Sequence, residues 1–160
     1  MKINFNNRAF TNKYRNYIED ILNKALDVIN PNCRDLEINF AFVSKKEIHK
    51  LNLNNRGVDR VTDVLSFPNL TSLDDVIIKP EDLTKENYIM DVNPESNNII
   101  LGDIYLCLPV CKKQAKEYNT GIIREITYLT LHSFLHLLGY DHIEEKDRVI
   151  MRDLEKKIID

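Results

Sequence analysis

The stretch Ile122-Ile-Arg-Glu-Ile126-Thr-Tyr-Leu129-Thr-Leu-His132-Ser-Phe-Leu-His136-Leu-Leu-Gly139-Tyr-Asp141-His142 decides the fold. Apolar residues recur at Ile122, Ile126, Leu129, Phe134, Leu137 and Leu138, and more of them occupy the other faces. A helix that is apolar nearly all round is a buried one. Residues 122–138 are therefore predicted to form the central helix of a single core. Two residues on it are out of place in a core: His132 and His136, four apart. On an α-helix that spacing sets their rings about 40° apart and one turn from each other, on one face.

His142 does not continue the pattern. Six more residues of unbroken helix would rotate it about 240° from His136 and carry it about 9 Å along the axis. Gly139 removes the difficulty, because glycine readily takes the left-handed conformation that ends helices. Tyr140-Asp141 can then turn the chain back. A histidine alone near a helix end is usually a favourable charge at the C-terminal dipole. Here three of the chain's four histidines fall within eleven residues, with a glycine placed to let them converge. Zinc holds imidazole nitrogens at ~2.0–2.1 Å, which puts two ligand atoms about 3.3 Å apart, within reach of an i,i+4 pair. The expected centre is one Zn2+ on His132, His136 and His142. Three neutral ligands and an open position suit hydrolysis better than scaffolding, since such an ion acidifies water and polarises a phosphoryl oxygen. Asp141 has two readings, as an acceptor orienting a ligand ring or as a cap on the turn. His49, in Lys-Lys-Glu-Ile-His-Lys, reads as solvated.

Outward from this stretch the elements are ordinary. Tyr14, Ile18, Ile21, Leu22, Ala25, Leu26 and Ile29 predict an amphipathic helix over 11–29, stopped by Asn30-Pro31. Leu36 to Val43 reads as a strand. Ser44 with Glu47 forms a capping-box pattern and opens a short helix bearing Ile48, Leu51 and Leu53. Val61 to Phe67 reads as a second strand closed by Pro68. Asn98 to Leu108 reads as a third, with Gly102-Asp103 as a bulge or point of close approach. Pro109 suits the first turn of a helix reaching about Lys116. A last amphipathic helix is expected from about Glu144 to Ile158, with Val149, Ile150, Leu154 and Ile158 inward. Residues 71–97 are acidic, hold two prolines and have one apolar patch at Val76 to Ile78, so they read as a loop insertion. The whole chain, 1–160, reads as one domain of α+β or α/β type. A small mixed sheet of at least three strands packs against several helices, the central one bearing the histidines.

Composition agrees with one core: 160 residues, 43% of them hydrophobic. No run is apolar enough for a membrane span or a signal peptide, so a cytoplasmic location and no membrane partner are expected. Cys33, Cys107 and Cys111 are an odd set without secretory context, which argues against a disulfide framework. Cys107 and Cys111 read as small buried hydrophobes rather than ligands. The net charge of −3 is local: residues 71–97 hold seven acids and two lysines, leaving 20 bases against 18 acids elsewhere. Charge does not exclude a nucleic-acid partner.

Histidine offsets of 4 and 10 with a glycine at 7 resemble the metzincin zinc proteases, whose pattern begins His-Glu. Ser133 stands where their general base would be, which speaks against peptide cleavage. The run resembles more closely the signature of the YbeY family of bacterial ribosomal-RNA maturation endoribonucleases, His-Gly-x-Leu-His-Leu-x-Gly-Tyr-Asp-His, with Ser133 in place of its glycine. Leu51-Asn-Leu-Asn-Asn-Arg56-Gly-Val-Asp-Arg-Val-Thr62-Asp63-Val-Leu-Ser66-Phe-Pro68 and Leu101-Gly102-Asp103-Ile104 resemble the same family. The resemblance implies a zinc-dependent endoribonuclease with His132, His136 and His142 as ligands and Arg56 as its important arginine. It also implies that the chain matures the 3′ end of small-subunit ribosomal RNA, with that RNA, the small subunit and ribosome-associated proteins as partners. A guanidinium offers forked donors matched to phosphate, although without the resemblance Arg56 reads as a solvated loop residue. Asp63 and Ser66 either border the cleft or serve the turn. Two other readings stay open: a zinc-stapled, non-catalytic ribosome assembly factor, and a metzincin-like peptidase.

Overall fold

Two runs rich in β-branched and aromatic residues, Leu36–Val43 (β2) and Ile99–Cys107 (β4), pair in parallel as the central strands of a four-stranded sheet. Lys2–Asn6 (β1) adds to β2 in parallel, and Val64–Pro68 (β3) adds to β4 antiparallel, giving the order β1-β2-β4-β3. The sheet is thus mixed, as expected, with one more strand than the patterning disclosed. A computed structural model describes residues 1–6, 8–71 and 77–160. The helices are α1 (Arg8–Ile29), α2 (Lys45–Arg56), α3 (Leu108–Glu117), α4 (Ile122–Leu137) and α5 (Glu145–Ile159). Parallel neighbours cannot be joined by tight turns and need crossovers, which α1 supplies between β1 and β2.

Successive strand residues point to opposite faces, and the core divides accordingly. Ile38, Phe40, Phe42, Ile104 and Leu106 join α1 and α4 in the main cluster. Val43, Tyr105 and Cys107 face the other way, toward Ile48 of α2 and Leu65 of β3. The helix α4 packs on α1, α3, α5, β3 and β4, which makes it the central one. Its Ile126, Leu131, Phe134 and Leu135 are fully buried.

Two inward faces differ from the periodicity reading. On α2 the buried pair is Ile48 and Asn52, and Leu53 is exposed. Five helical residues rotate Leu53 about 140° from Ile48, whereas four bring Asn52 within about 40°. Asn52 Nδ2 donates to the Arg60 carbonyl at 3.0 Å and ties down the following loop. On α5 the stripe is Met151, Glu155 and Ile158, with Leu154 half-buried and Val149 and Ile150 exposed. The insertion is also more than a loop. Beyond Asp74, Asp75 and Val76, which lie outside the described residues, it forms single 3-10 turns at Pro80–Asp82 and Ile89–Asp91 and buries Ile78, Leu83 and Tyr88. Its far end is fastened to the sheet at Glu37. Burial alone would push that carboxyl up, but hydrogen bonds from Ser96, Asn4 and Asn93 reverse the effect and hold it below the usual range.

Gly102 is a point of close approach. Register along β2 and β4 slips between Glu37 and Ile38, leaving Leu101 as the extra residue of a bulge. Gly102 follows with φ +142°, and a side chain there would overlap the Phe67 carbonyl oxygen and stand 3.0 Å from Leu137 Cδ2. Gly102→Ala is expected to lower unfolding stability by about 3 kcal/mol in a urea titration. Because the Glu37 pKa is depressed by folding, its contribution is present above the unfolded value and lost as pH falls through the folded one. Glu37→Gln should therefore flatten the acid limb of stability against pH, leaving a smaller loss below about pH 4 than in the wild type.

Candidate metal centre and active site

The α4 helix stops as the glycine predicts. Gly139 adopts φ +89°. Its N–H donates to the His136 carbonyl at 3.0 Å, and the Tyr140 N–H donates to the Leu135 carbonyl at 3.1 Å, the two bonds of a Schellman stop. The Ile78 N–H of the insertion donates to the Leu138 carbonyl at 3.0 Å, so an acceptor orphaned at the helix end is used. The chain then reverses. The His142 ring comes to lie 5.4 Å from that of His132 and 5.0 Å from that of His136, centre to centre. Candidate ligand atoms of the three histidines all lie within 4.8 Å of one another.

Hydrogen bonds set the ring orientations. His132 Nδ1 lies 2.6 Å from Glu155 Oε1, and His136 Nδ1 lies 2.8 Å from the Tyr140 carbonyl oxygen. An ionised carboxylate and a carbonyl only accept, so both rings carry their proton on Nδ1 and present a bare Nε2. The two Nε2 atoms stand 3.0 Å apart. Two lone pairs at that distance repel each other unless a cation lies between them, and the spacing is close to what a tetrahedral zinc needs. Burial and the neighbouring His132 push the His136 imidazole below its ordinary range, favouring the neutral form that ligates. The donor set therefore fits a metal ion.

Glu155 was not legible as a functional residue. It stands 23 residues from His132 on another helix, in no local motif, with its side chain only 8% exposed. The one signal was an acid on the inward stripe of α5. Asp141 Oδ1 accepts from the His142 backbone N–H at 2.6 Å and stands 4.0 Å from His142 Nδ1, so it serves the turn and also lies beside the ligand ring.

A cleft of about 710 Å³ opens over the histidines, and its walls include Arg56, Asp63, Ser66 and Ser133. Arg56 is the last residue of α2, which Gly57 closes at φ +68°. The Asp63 carboxylate accepts from the Val64 N–H at 2.7 Å and from Gln114 Nε2 at 3.1 Å, so it braces the start of β3 against α3. Ser133 is buried, and its hydroxyl has no partner among the described residues. His49 is exposed and faces Asp59. Cys107 and Cys111 are free and buried, and burial pushes both thiols up, away from the thiolate a metal would need.

Three imidazoles with candidate ligand atoms gathered at one point, beneath a cleft with an arginine on its wall, fit a metal-dependent hydrolase. Comparison with known proteins identifies which kind. The family described as Endoribonuclease YbeY matches residues 2–160. Two relatives bearing that name, from Clostridium botulinum strains Eklund 17B and Hall, are 39% and 42% identical over 93% and 90% of this chain and 88% and 85% of their own. The solution structure of TM1509 from Thermotoga maritima superposes with a TM-score of 0.57 at 28% identity, covering 99% of this chain and 85% of that one. The chain belongs to the YbeY family of endoribonucleases, hydrolases that act on RNA.

Removing the carboxylate that holds His132 should loosen the centre without removing a ligand. Glu155→Ala is expected to weaken metal affinity about tenfold or more in a chelator competition. Glu155→Gln, which retains an acceptor without its charge, should fall between the alanine variant and the wild type.

Proposed function

We propose that this chain is a zinc-dependent endoribonuclease that matures the 3′ end of small-subunit ribosomal RNA. On this reading it works in the cytoplasm, in contact with the small ribosomal subunit. The observation that supports the reading best is the convergence of His132, His136 and His142 below a cleft that Arg56 borders. Family membership supplies the RNA.

Bound there, a zinc ion supplies Lewis acidity beside the scissile phosphate. The protein's own contribution is to hold and to neutralise. Glu155 and the Tyr140 carbonyl keep two Nε2 atoms aimed at one point. Such orientation matters because a ligand ring free to rotate would have to be ordered when the metal binds. From the cleft wall Arg56 offers paired N–H donors to the non-bridging phosphate oxygens and remains charged at any working pH. Its donors are worth most against charge that develops in the transition state. Asp63 spends its carboxylate on Val64 and Gln114, so its part is to fix the wall that faces the histidines. Ser133 stands where a metalloprotease carries its general-base glutamate, which supports RNA over peptide as the substrate.

The test is cleavage of a ribosomal-RNA 3′-end precursor by purified protein. His136→Ala should abolish cleavage together with zinc binding. Arg56→Ala should keep the metal and lose about 10²–10³-fold in rate, the usual effect of deleting one transition-state donor. Undiminished cleavage by both variants would rule the assignment out. Normal ribosome maturation in cells carrying only Arg56→Ala would instead favour a non-catalytic assembly role.

A further inference from the structure

A second recess, of about 300 Å³, opens on the α5 side of the histidines, and the established family activity assigns it nothing. It shares Tyr128, His132 and His142 with the larger cleft, so the two meet across the cluster. Arg56 borders only the larger one. An endonuclease must hold its strand on both sides of the bond it cuts. A strand laid over the histidines from the Arg56 side leaves through this recess.

We propose that the recess is a nucleotide subsite for single-stranded RNA, in which Tyr128 stacks a base and Arg148 and Arg152 hold the phosphate next to the scissile one. The proposal rests on the reading of the chain as an RNA hydrolase and names where the rest of the strand lies.

The chemistry fits a nucleotide on both counts. Tyr128 is an exposed aromatic, 39% accessible, one turn before His132. Its ring lies 5.9 Å from the His132 ring and within 29° of parallel, so the phenol is already held in one orientation. A base that stacks on it loses little freedom of its partner, and every base has a π-face to offer. Arg148 is held beside the third histidine, with Nε donating to the His142 carbonyl at 3.2 Å and Nη1 reaching Glu145 at 3.4 Å. Arg152 is exposed and forms no ion pair among the described residues. Of the acids around the recess, Glu155 is committed to His132 and Glu145 to Arg148. Arg152 is then the guanidinium left without an acid partner among the described residues, and a phosphate can take that place. Arginines beside an exposed aromatic are what sequence-tolerant binding of a single strand uses.

The experiment measures affinity of the full-length, zinc-loaded protein for a dye-labelled single-stranded RNA by anisotropy, alongside initial cleavage rates and zinc affinity. Tyr128→Ala and Arg152→Ala should each weaken RNA binding about tenfold and raise KM similarly, with zinc affinity unchanged. Tyr128→Phe, which keeps the π-face, should bind as the wild type does. Arg152→Ala should also lower the slope of log affinity against log salt by about 0.7, the share of one single-strand phosphate contact. If wild type cleaves RNA and the alanine variants bind it equally well, the subsite is wrong and the activity stands. If Tyr128→Ala loses zinc in proportion to RNA, its role is to support His132, and the subsite is likewise overturned. A wild type that binds no RNA would overturn both.

Discussion

With φ at +89°, Gly139 ends α4 on two backbone hydrogen bonds and sends the chain back over the face it has just built. Without that reversal His142 would lie a turn and a half further along the axis, on a different side of the helix. An L side chain at this position would work against the left-handed backbone. The same stop places the Tyr140 carbonyl where it receives His136 Nδ1, so one conformational choice both delivers the third imidazole and fixes the second. The insertion reinforces the arrangement through Ile78 and the Leu138 carbonyl, which makes a segment outside the central helix part of its terminus.

The rigidity behind this turn comes from the core. Ile126, Leu131, Phe134 and Leu135 are fully buried. Each such side chain contributes about 1.5–3 kcal/mol by burial, so the helix has little freedom to slide or rotate. Histidines on a helix so constrained need only their ring torsions settled, and a hydrogen bond at each Nδ1 does that. The polar centre is thus positioned by apolar packing on the far sides of α4 and tuned by two acceptors on the near side. A third element, β3, forms the facing wall and is held in place where Gly102 lets β4 come close to Phe67.

Much of this was legible beforehand because it follows from local rules. The α4 run, the capping box at Ser44 and Glu47, the break at Gly139 and the irregularity at Gly102 each depend on residues within a few positions of one another. The strand β1 was not legible, since the five residues Lys2–Asn6 alternate too briefly to stand out and earn their place by pairing with β2. Angular arithmetic explains the errors on α2 and α5, where an apolar residue one position off the stripe looked inward and a polar one took its place. Asn52 is inside because it serves a loop eight residues away, and Glu155 because it serves a ring 23 residues away. Partnerships at that range leave no periodic trace.

The order of these parts along the chain has a consequence for synthesis. α4 precedes α5 along the chain, so His132 and His136 are synthesised before Glu155. Until the last helix docks, His132 lacks its acceptor and its ring is free to turn. The segment made last is therefore the one that completes the bracing of the first imidazole.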